Sequence, residues 1–515
     1  MEESKALSLK VLDRIEKFGN KLPHPATLFA IFALIVVVVS ELVLRAGVTA
    51  IHPGTGEEIS AVSLLNADGF RFIFSSAEKN FVYFPPLGIV LVAMIGIGVA
   101  EGSGLISALL RHLVLTAPKR LITAAVVGAG VLSHLASSVG YVVLIPLGAM
   151  IFAAFKRHPM AGLAAAFAGV SGGFGANFLI GSVDPILAGL SESAANIIDP
   201  AIKVSPAVNF YFMLASAFMI VIVGTWVTER FVEPRLGKYS GEIFEVETMS
   251  SAERKGLIWA GISVAVVIAI FLFLTVPENA VLRDPETGSL LHSPFMSGLI
   301  TAILIFFLVP GLAYGVAVGT IKNDKDVIKH MTSSMRGLAG YIVLVFFAGQ
   351  FVYYFKQSNM GVLLAIKGAE FLKSIGLTGL WLLVAFVFVS AFINLFMGSA
   401  SAKWAIMAPI FVPMFMLVGY HPGITQAAFR IGDSITNIIT PMMSYFALIV
   451  AFAQKYDEKS GIGTIIATML PYSVAFAIFW VVLLALWVLL GLPTGPDAPL
   501  HLSMLGNIYL PLAWL

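Results

Sequence analysis

Residues 121–155 read LITAAVVGAGVLSHLASSVGYVVLIPLGAMIFAAF, and residues 378–418 read TGLWLLVAFVFVSAFINLFMGSASAKWAIMAPIFVPMFMLV. Each stretch is too long for one membrane-crossing helix, which needs about 20 apolar residues. Each is also broken in its middle by small polar residues: His134-Leu135-Ala136-Ser137-Ser138-Val139-Gly140 in the first, Met397-Gly398-Ser399-Ala400-Ser401-Ala402-Lys403 in the second. Two half-helices meeting at a Ser/Gly tip form a re-entrant hairpin. Irregular backbone at membrane depth survives only where protein or a water-filled cavity satisfies it.

The rest of the chain fits that setting. Single apolar spans are expected at 26–46, 86–110, 160–190, 206–228, 257–276, 295–318, 338–355, 422–453 and 464–490. The fold class expected is therefore an all-α polytopic membrane protein, with nine transmembrane helices plus two re-entrant hairpins. Of 515 residues, 58% are hydrophobic and 12% charged, against roughly 25% charged in a soluble domain. The mean hydropathy is +0.94. A net charge of +2 gives no concentrated basic face for nucleic acid, and the absence of cysteine excludes disulfides and thiolate sites. Residues 1–25 carry mixed charge and no cleavage site follows, so they are expected to lie as an amphipathic segment on the cytoplasmic face.

Lys and Arg placement sets the orientation. Segments 111–120, 156–158, 229–256 and 319–336 are basic and belong inside, whereas 47–85 and 277–294 are poor in Lys and Arg and belong outside. On this reading the first hairpin enters from the cytoplasm and the second from outside. Lys356, Lys367 and Lys373 fall on the outer side, against the rule. The expected divisions are framework spans at 26–120, a first repeat at 121–228, a loop and further framework at 229–336, a second repeat at 337–490 and an outer segment at 491–515.

The expected repeat rests on a fixed offset of 263 residues. Ser138 matches Ser401, Pro146 matches Pro409, Phe152 matches Phe415, and His158-Pro159 matches His421-Pro422. Ala164-Ala165, Gly169 and Ser171 match Ala427-Ala428, Gly432 and Ser434, and Tyr141 faces Trp404 as a like pair. That makes nine identities over the 34 positions 138–171, and the Pro, His-Pro and Ser matches are not products of an alanine-rich composition. Repeats of opposite polarity with discontinuous elements belong to secondary transporters, whose site lies near midplane where the repeats meet.

Segment 422–453 places Arg430 and Asp433 three apart, on one helix face. An intramembrane charge costs several kcal/mol and faces a cavity or a partner. Arg430 can hold a ligand carboxylate or pair Asp433, and Asp433 can take part in proton or cation coupling. The plainer alternative is a structural ion pair. Pro441 frees a backbone carbonyl, and with Asn437 and Thr440 it could coordinate a sodium ion. In the repeat mate, the run Ser171-Gly172-Gly173-Phe174-Gly175-Ala176-Asn177 argues for unwinding, with Asn177 at its end and Asp184 before Pro185 as a second carboxylate. Asn394 precedes the second tip and Trp404 follows it, able to stack on an aromatic ligand or to anchor at an interface. Lys403 can snorkel to water. Ser137, Ser138, Ser399 and Ser401 supply donors at the tips. Glu101 reads as a helix-end residue and His134 as a packing residue, with no ligand partner at metal spacing.

No P-loop, HExxH or dinucleotide fingerprint is present, so neither an enzyme nor a resident cofactor is expected. An intramembrane hydrolase would have only Ser137 or Ser138 with His134 to work with, and a channel is the third class. The stretches GSASAKWAIMAPIFVPM, YHPGITQAAFRIGDS and NIITPMMSY, within Asn394 to Pro441, resemble the AbgT family of p-aminobenzoyl-glutamate transporters, a resemblance that runs essentially end to end. It implies a homodimer in the bacterial inner membrane, surrounded by lipid, with its N-terminus and a solvent basin on the cytoplasmic side. It implies roles for Asp184, Asn394, Trp404, Pro422, Arg430, Asp433 and Pro441. The implied cargo is p-aminobenzoyl-glutamate and, for some members, sulfonamide antimetabolites moved outward, with a proton or sodium gradient as driving force. A dicarboxylate carrier fits much of the same chemistry.

Overall fold

In lipid every backbone N–H and C=O must find its partner within the protein, and long runs of Leu, Val, Ile and Ala with few charges do so as helices. The computed structural model describes residues 23–51, 56–135, 140–237, 239, 249–290 and 293–502. It is nearly all helix, with one two-stranded antiparallel ribbon, β1 (Thr49–Ile51) and β2 (Glu58–Ser60), pairing Thr49 with Ser60. Among the described residues, eight helices are long and apolar enough to cross a membrane, or ten if each of two bent pairs counts as one span.

The helices run α1 (Pro25–Arg45), α2 (Ala67–Val82), α3 (Pro85–Gly102), α4 (Leu105–Leu115), α5 (Ile122–Leu132), α6 (Ile145–Ala154), α7 (Pro159–Phe167), α8 (Asp184–Ala195), α9 (Phe210–Val227) and α10 (Glu233–Leu236). They continue as α11 (Ser251–Thr275), α12 (Pro294–Ser297), α13 (Leu299–Val318), α14 (Asp324–Gly337), α15 (Ala339–Gln357), α16 (Met360–Ser374), α17 (Gly379–Asn394), α18 (Ala400–Val418), α19 (Pro422–Asn437), α20 (Phe446–Gln454) and α21 (Ile462–Leu489). One set forms a framework: α11 packs on α13, α13 on α3, α14 on α3 and α15 on α1. The other set carries the broken helices: α5 lies on the π-helical turn Ala168–Gly172, α17 on α19, and α18 on α8.

The structure corrects several expectations. The span 86–110 is two helices, α3 and α4, interrupted at Ser103-Gly104. The span 160–190 is also two: α7 ends in the π-helical turn, residues 173–183 are not helical, and α8 starts at Asp184. The span 422–453 divides into α19 and α20 around the non-helical stretch 438–445. Glycine density and Pro441 are the physical causes, since neither residue type supports a continuous helix. Three segments expected as loops contain the helices α2, α14 and α16. Their interspersed charges mask the apolar signal used to find spans.

The segments 111–120, 156–158 and 229–256 come together through charge. Arg111 pairs with Glu253, and Arg157 donates through Nε to Glu233 at 2.9 Å and through Nη1 to Thr123 at 2.8 Å.

Two pairs of positions matched at the 263-residue offset have like surroundings. His158 and His421 each cap a helix whose first residue is proline, accepting through Nδ1 from Met160 and Gly423. Gly169 and Gly432 each lie against the first helix of the preceding hairpin. A Cβ on Gly169 would sit 2.3 Å from Val127 O, and one on Gly432 would sit 2.2 Å from Val387 O.

Candidate functional site

Helix α19 is only 16 residues long, and every one of them is buried. Its polar face carries Gln426, Arg430, Asp433 and Asn437 at helical spacing. Neither charge pairs with the other. Arg430 donates through Nη2 to Asp184, whose other carboxylate oxygen accepts from Gly181 N at 2.6 Å. Asp184 sits in the first turn of α8, where the helix dipole favours a carboxylate. Both side chains are 4% exposed. Among the described residues, Arg430 Nη1 reaches only the thioether of Met213, at 3.0 Å, and its Nε has no partner. The guanidinium thus retains donor capacity in a buried place.

Asp433 is paired with Lys403 in the first turn of α18. Lys403 is 0% and Asp433 1% exposed. Lys403 therefore does not snorkel to water: its ammonium lies in the protein interior against Asp433 and Asn394 Oδ1. Asn394 Nδ2 faces Asp433 O at 2.6 Å, Thr436 Oγ1 at 2.9 Å and Asn437 Oδ1 at 2.9 Å, and Asn437 donates back to Asp433 Oδ2 at 2.9 Å. Buried ions persist only with such partners.

Trp404 is fully buried. Its Nε1 donates to Ser191 Oγ at 2.9 Å and Leu187 O at 3.2 Å on α8, and Ser191 passes a bond to Gln426 at 2.7 Å. One face of its indole lies on Phe429, with centroids 4.5 Å apart. On the other copy, Tyr141 stacks on Tyr445 with centroids 4.5 Å apart. Each hairpin aromatic thus reaches the broken helix of the opposite copy. The repeat serines do the same: Ser171 donates to Met443 Sδ, and Ser434 Oγ accepts from Gly175 N at 2.6 Å.

Of the residues singled out from sequence, Asp184, Asn394, Trp404, Arg430, Asp433 and Asn437 form one cluster. Asn177 is buried nearby in the unwound stretch, its N bonded to Met213 O. Ser399 caps α18 and faces Ser401 across the exposed tip at 3.4 Å. Pro441 is half-buried in the second unwound stretch, and Thr440 donates to Leu395 O at 3.1 Å. Ser137 and Ser138 lie outside the described residues. His134 packs edge-on to Phe174. Sequence reasoning left Lys403, Gln426 and Ser191 off the site. Lys403 had a signal: it is a lone cation beside Trp404 in an apolar stretch, and its repeat mate is Gly140.

A model of the "AbgT putative transporter family" matches residues 10–502. The chain belongs to the AbgT family. The p-aminobenzoyl-glutamate transport protein of Escherichia coli (strain K12) is 40% identical over 502 residues, covering 97% of this chain and 99% of that protein. Two solved structures are similar. The Alcanivorax borkumensis YdaH transporter has TM-score 0.87 and 46% identity over 92% of this chain and all of that one. Neisseria gonorrhoeae MtrF, described within a class of antimetabolite efflux pumps, has TM-score 0.90 and 48% identity over 95% of this chain and all of that one. This AbgT-family chain is accordingly a multi-pass membrane transporter and not an enzyme.

Proposed function

We propose that the chain is a secondary active carrier of p-aminobenzoyl-glutamate and related aromatic anions, driven by a proton or sodium gradient, with sulfonamide antimetabolites as outward cargo. The observation that carries this reading is the Arg430 guanidinium, buried at the meeting of two unwound helices with its Nε unpartnered among the described residues and Nη1 on a thioether. A cargo carboxylate supplies the acceptors that the protein withholds, and a charge-assisted bidentate pair is the strong form of that contact. Helix α8 begins at the same place and adds its positive end. The relative that transports p-aminobenzoyl-glutamate supports the choice of anion.

Because Arg430, Asp433 and Trp404 are buried, cargo reaches them only when hairpins and broken helices shift against the framework, in alternating access. The two copies enter the inner membrane with opposite polarity, the N-terminus lies in the cytoplasm, and the protein works as a homodimer. These parts of the proposal rest on the loop charges and on the family.

A second reading, a dicarboxylate carrier, draws on one observation: Phe429 already covers a face of Trp404, leaving carboxylate recognition as the available chemistry. Proteoliposome flux of radiolabelled p-aminobenzoyl-glutamate under imposed sodium and proton gradients separates the two. Saturable, gradient-driven flux that unlabelled succinate does not compete with, and that Asp433→Ala abolishes, supports the first reading. Flux of succinate alone replaces it with the second.

A further inference from the structure

Helices α17 and α19 end at Asn394 and Asn437, and the hydrogen bonds of Asn394 tie the two ends together. A helix C-terminus carries about half a negative elementary charge. Two such ends, the Asp433 carboxylate and the Asn394 amide oxygen make a small, buried, cation-seeking site. The cation that occupies it is part of the chain: the Lys403 ammonium touches Asp433 Oδ1 and Asn394 Oδ1. Lys403 stands in the first turn of α18, the positive end of its own helix, so its charge is sustained from across the site and not by its own element. The elements packed against α18 are α8, α15, α16, α17 and α19. Their other charged groups are engaged or face outward: Asp184 holds Arg430, Glu192 pairs with Lys203, Lys367 pairs with Glu370, Lys373 donates to Leu417 O, and Lys356 is exposed. Among the described residues, Asp433 is the one carboxylate that meets Lys403.

The pair is neutral as it stands. Adding an alkali cation to Asp433 would leave one uncompensated positive charge in a buried site, at a cost of several kcal/mol. Losing a proton from Lys403 removes that cost, and a buried lysine is the basic side chain that can lose one, whereas arginine cannot. We propose that Lys403 is a tethered cation that competes with an alkali ion for Asp433, so that each Na+ bound expels one proton. The step balances: the Lys403 ammonium and Na+ become neutral Lys403, Na+ held by the Asp433 carboxylate, and a proton released to water. The inference rests on the carrier reading above and assigns its coupling step. Either ion's gradient then loads the same site, and the two cannot occupy it together.

Calorimetric titration of the purified full chain with NaCl, in choline-balanced buffers of differing ionisation enthalpy, counts the protons directly. The expected result is about one proton released per Na+, with affinity tightening about tenfold per pH unit. In Lys403→Arg, checked for folding by thermal unfolding, Na+ binding is lost. A merely structural ion pair predicts the reverse, with Lys403→Arg behaving as wild type. Wild-type protein that binds no Na+, or binds it without releasing a proton, overturns the proposal whatever the variant does. The titration uses no organic cargo. Failed p-aminobenzoyl-glutamate flux with intact Na+/H+ exchange would therefore revise only the cargo, and intact flux without proton release would revise only this step.

Discussion

The two segments matched by the 263-residue offset share local features and divide the chemistry. Both have a His-Pro cap, a glycine pressed against an earlier helix (α5 or α17), and a serine and an aromatic ring that cross to the other segment. Yet positions 140, 167 and 170 hold Gly, Phe and Val, where positions 403, 430 and 433 hold Lys, Arg and Asp. The first copy contributes one buried charge to the cluster, Asp184, which neutralises the second copy's Arg430. The broken helices are common to the two segments, and the ions stand at positions where their sequences differ. Two fully charged copies would have doubled the number of ions to be satisfied at depth, each at several kcal/mol.

The charged positions offer the largest effect with which to break that comparison. Arg430→Ala or Asp184→Ala alone leaves a buried ion unpaired, which costs about 3–5 kcal/mol. Each should sharply lower the unfolding temperature in detergent and abolish flux. The double variant Asp184→Ala/Arg430→Ala should recover most of the unfolding temperature and none of the flux. At the matching first-copy position, Phe167→Leu should cost less than about 1.5 kcal/mol. If Phe167→Leu proved as damaging to flux as Arg430→Ala, chemistry would reside in both copies.

Next in size come the repeat glycines. Gly169→Ala and Gly432→Ala each push a methyl group into a backbone carbonyl, at about 1–3 kcal/mol. Thermal unfolding should report similar losses for the two. A clear inequality would show that the copies do not pack alike.

The effect of the caps is confined to acid. Burial pushes the His421 imidazole down to about 4, against about 6.5 for a free one. The unfolded chain therefore takes up the proton first. The stability contributed by the neutral cap is whole above about pH 6.5 and is lost as pH falls toward 4. His158, half-buried, is lowered by the same cause and should respond in the same direction, by less. His421→Asn, a cap that does not titrate, should flatten the fall in unfolding temperature over that range.

Much of this architecture was legible in the chain. The Ser/Gly interruptions in over-long apolar stretches fall between α5 and α6 and between α17 and α18, glycine density marks the first unwound stretch, and Pro441 marks the second. Arg430 and Asp433 stood out as charges in an apolar run. Their partners did not, because helical spacing reports which residues share a face and says nothing of what faces them. Arg430 and Asp433 share a face and are bound to two other elements. The sequence alone points Lys403 to water, because a lysine beside a polar tip ordinarily snorkels. The carboxylate that holds it inside is 30 residues away in the chain. Helices α2, α14 and α16 escaped because charge within a short amphipathic helix resembles charge in a loop.

The complete burial of α19 bears on how the protein is made. A 16-residue segment carrying Gln426, Arg430, Asp433 and Asn437 would partition poorly into lipid by itself, since each charge at a helix centre adds about 2.5–3.5 kcal/mol to insertion. Both countercharges, Asp184 and Lys403, lie earlier in the chain. By the time the ribosome delivers α19, the neighbours that neutralise it have already been synthesised. The polar helix can then enter the bilayer as a late guest of a half-built protein, without ever meeting lipid on its own.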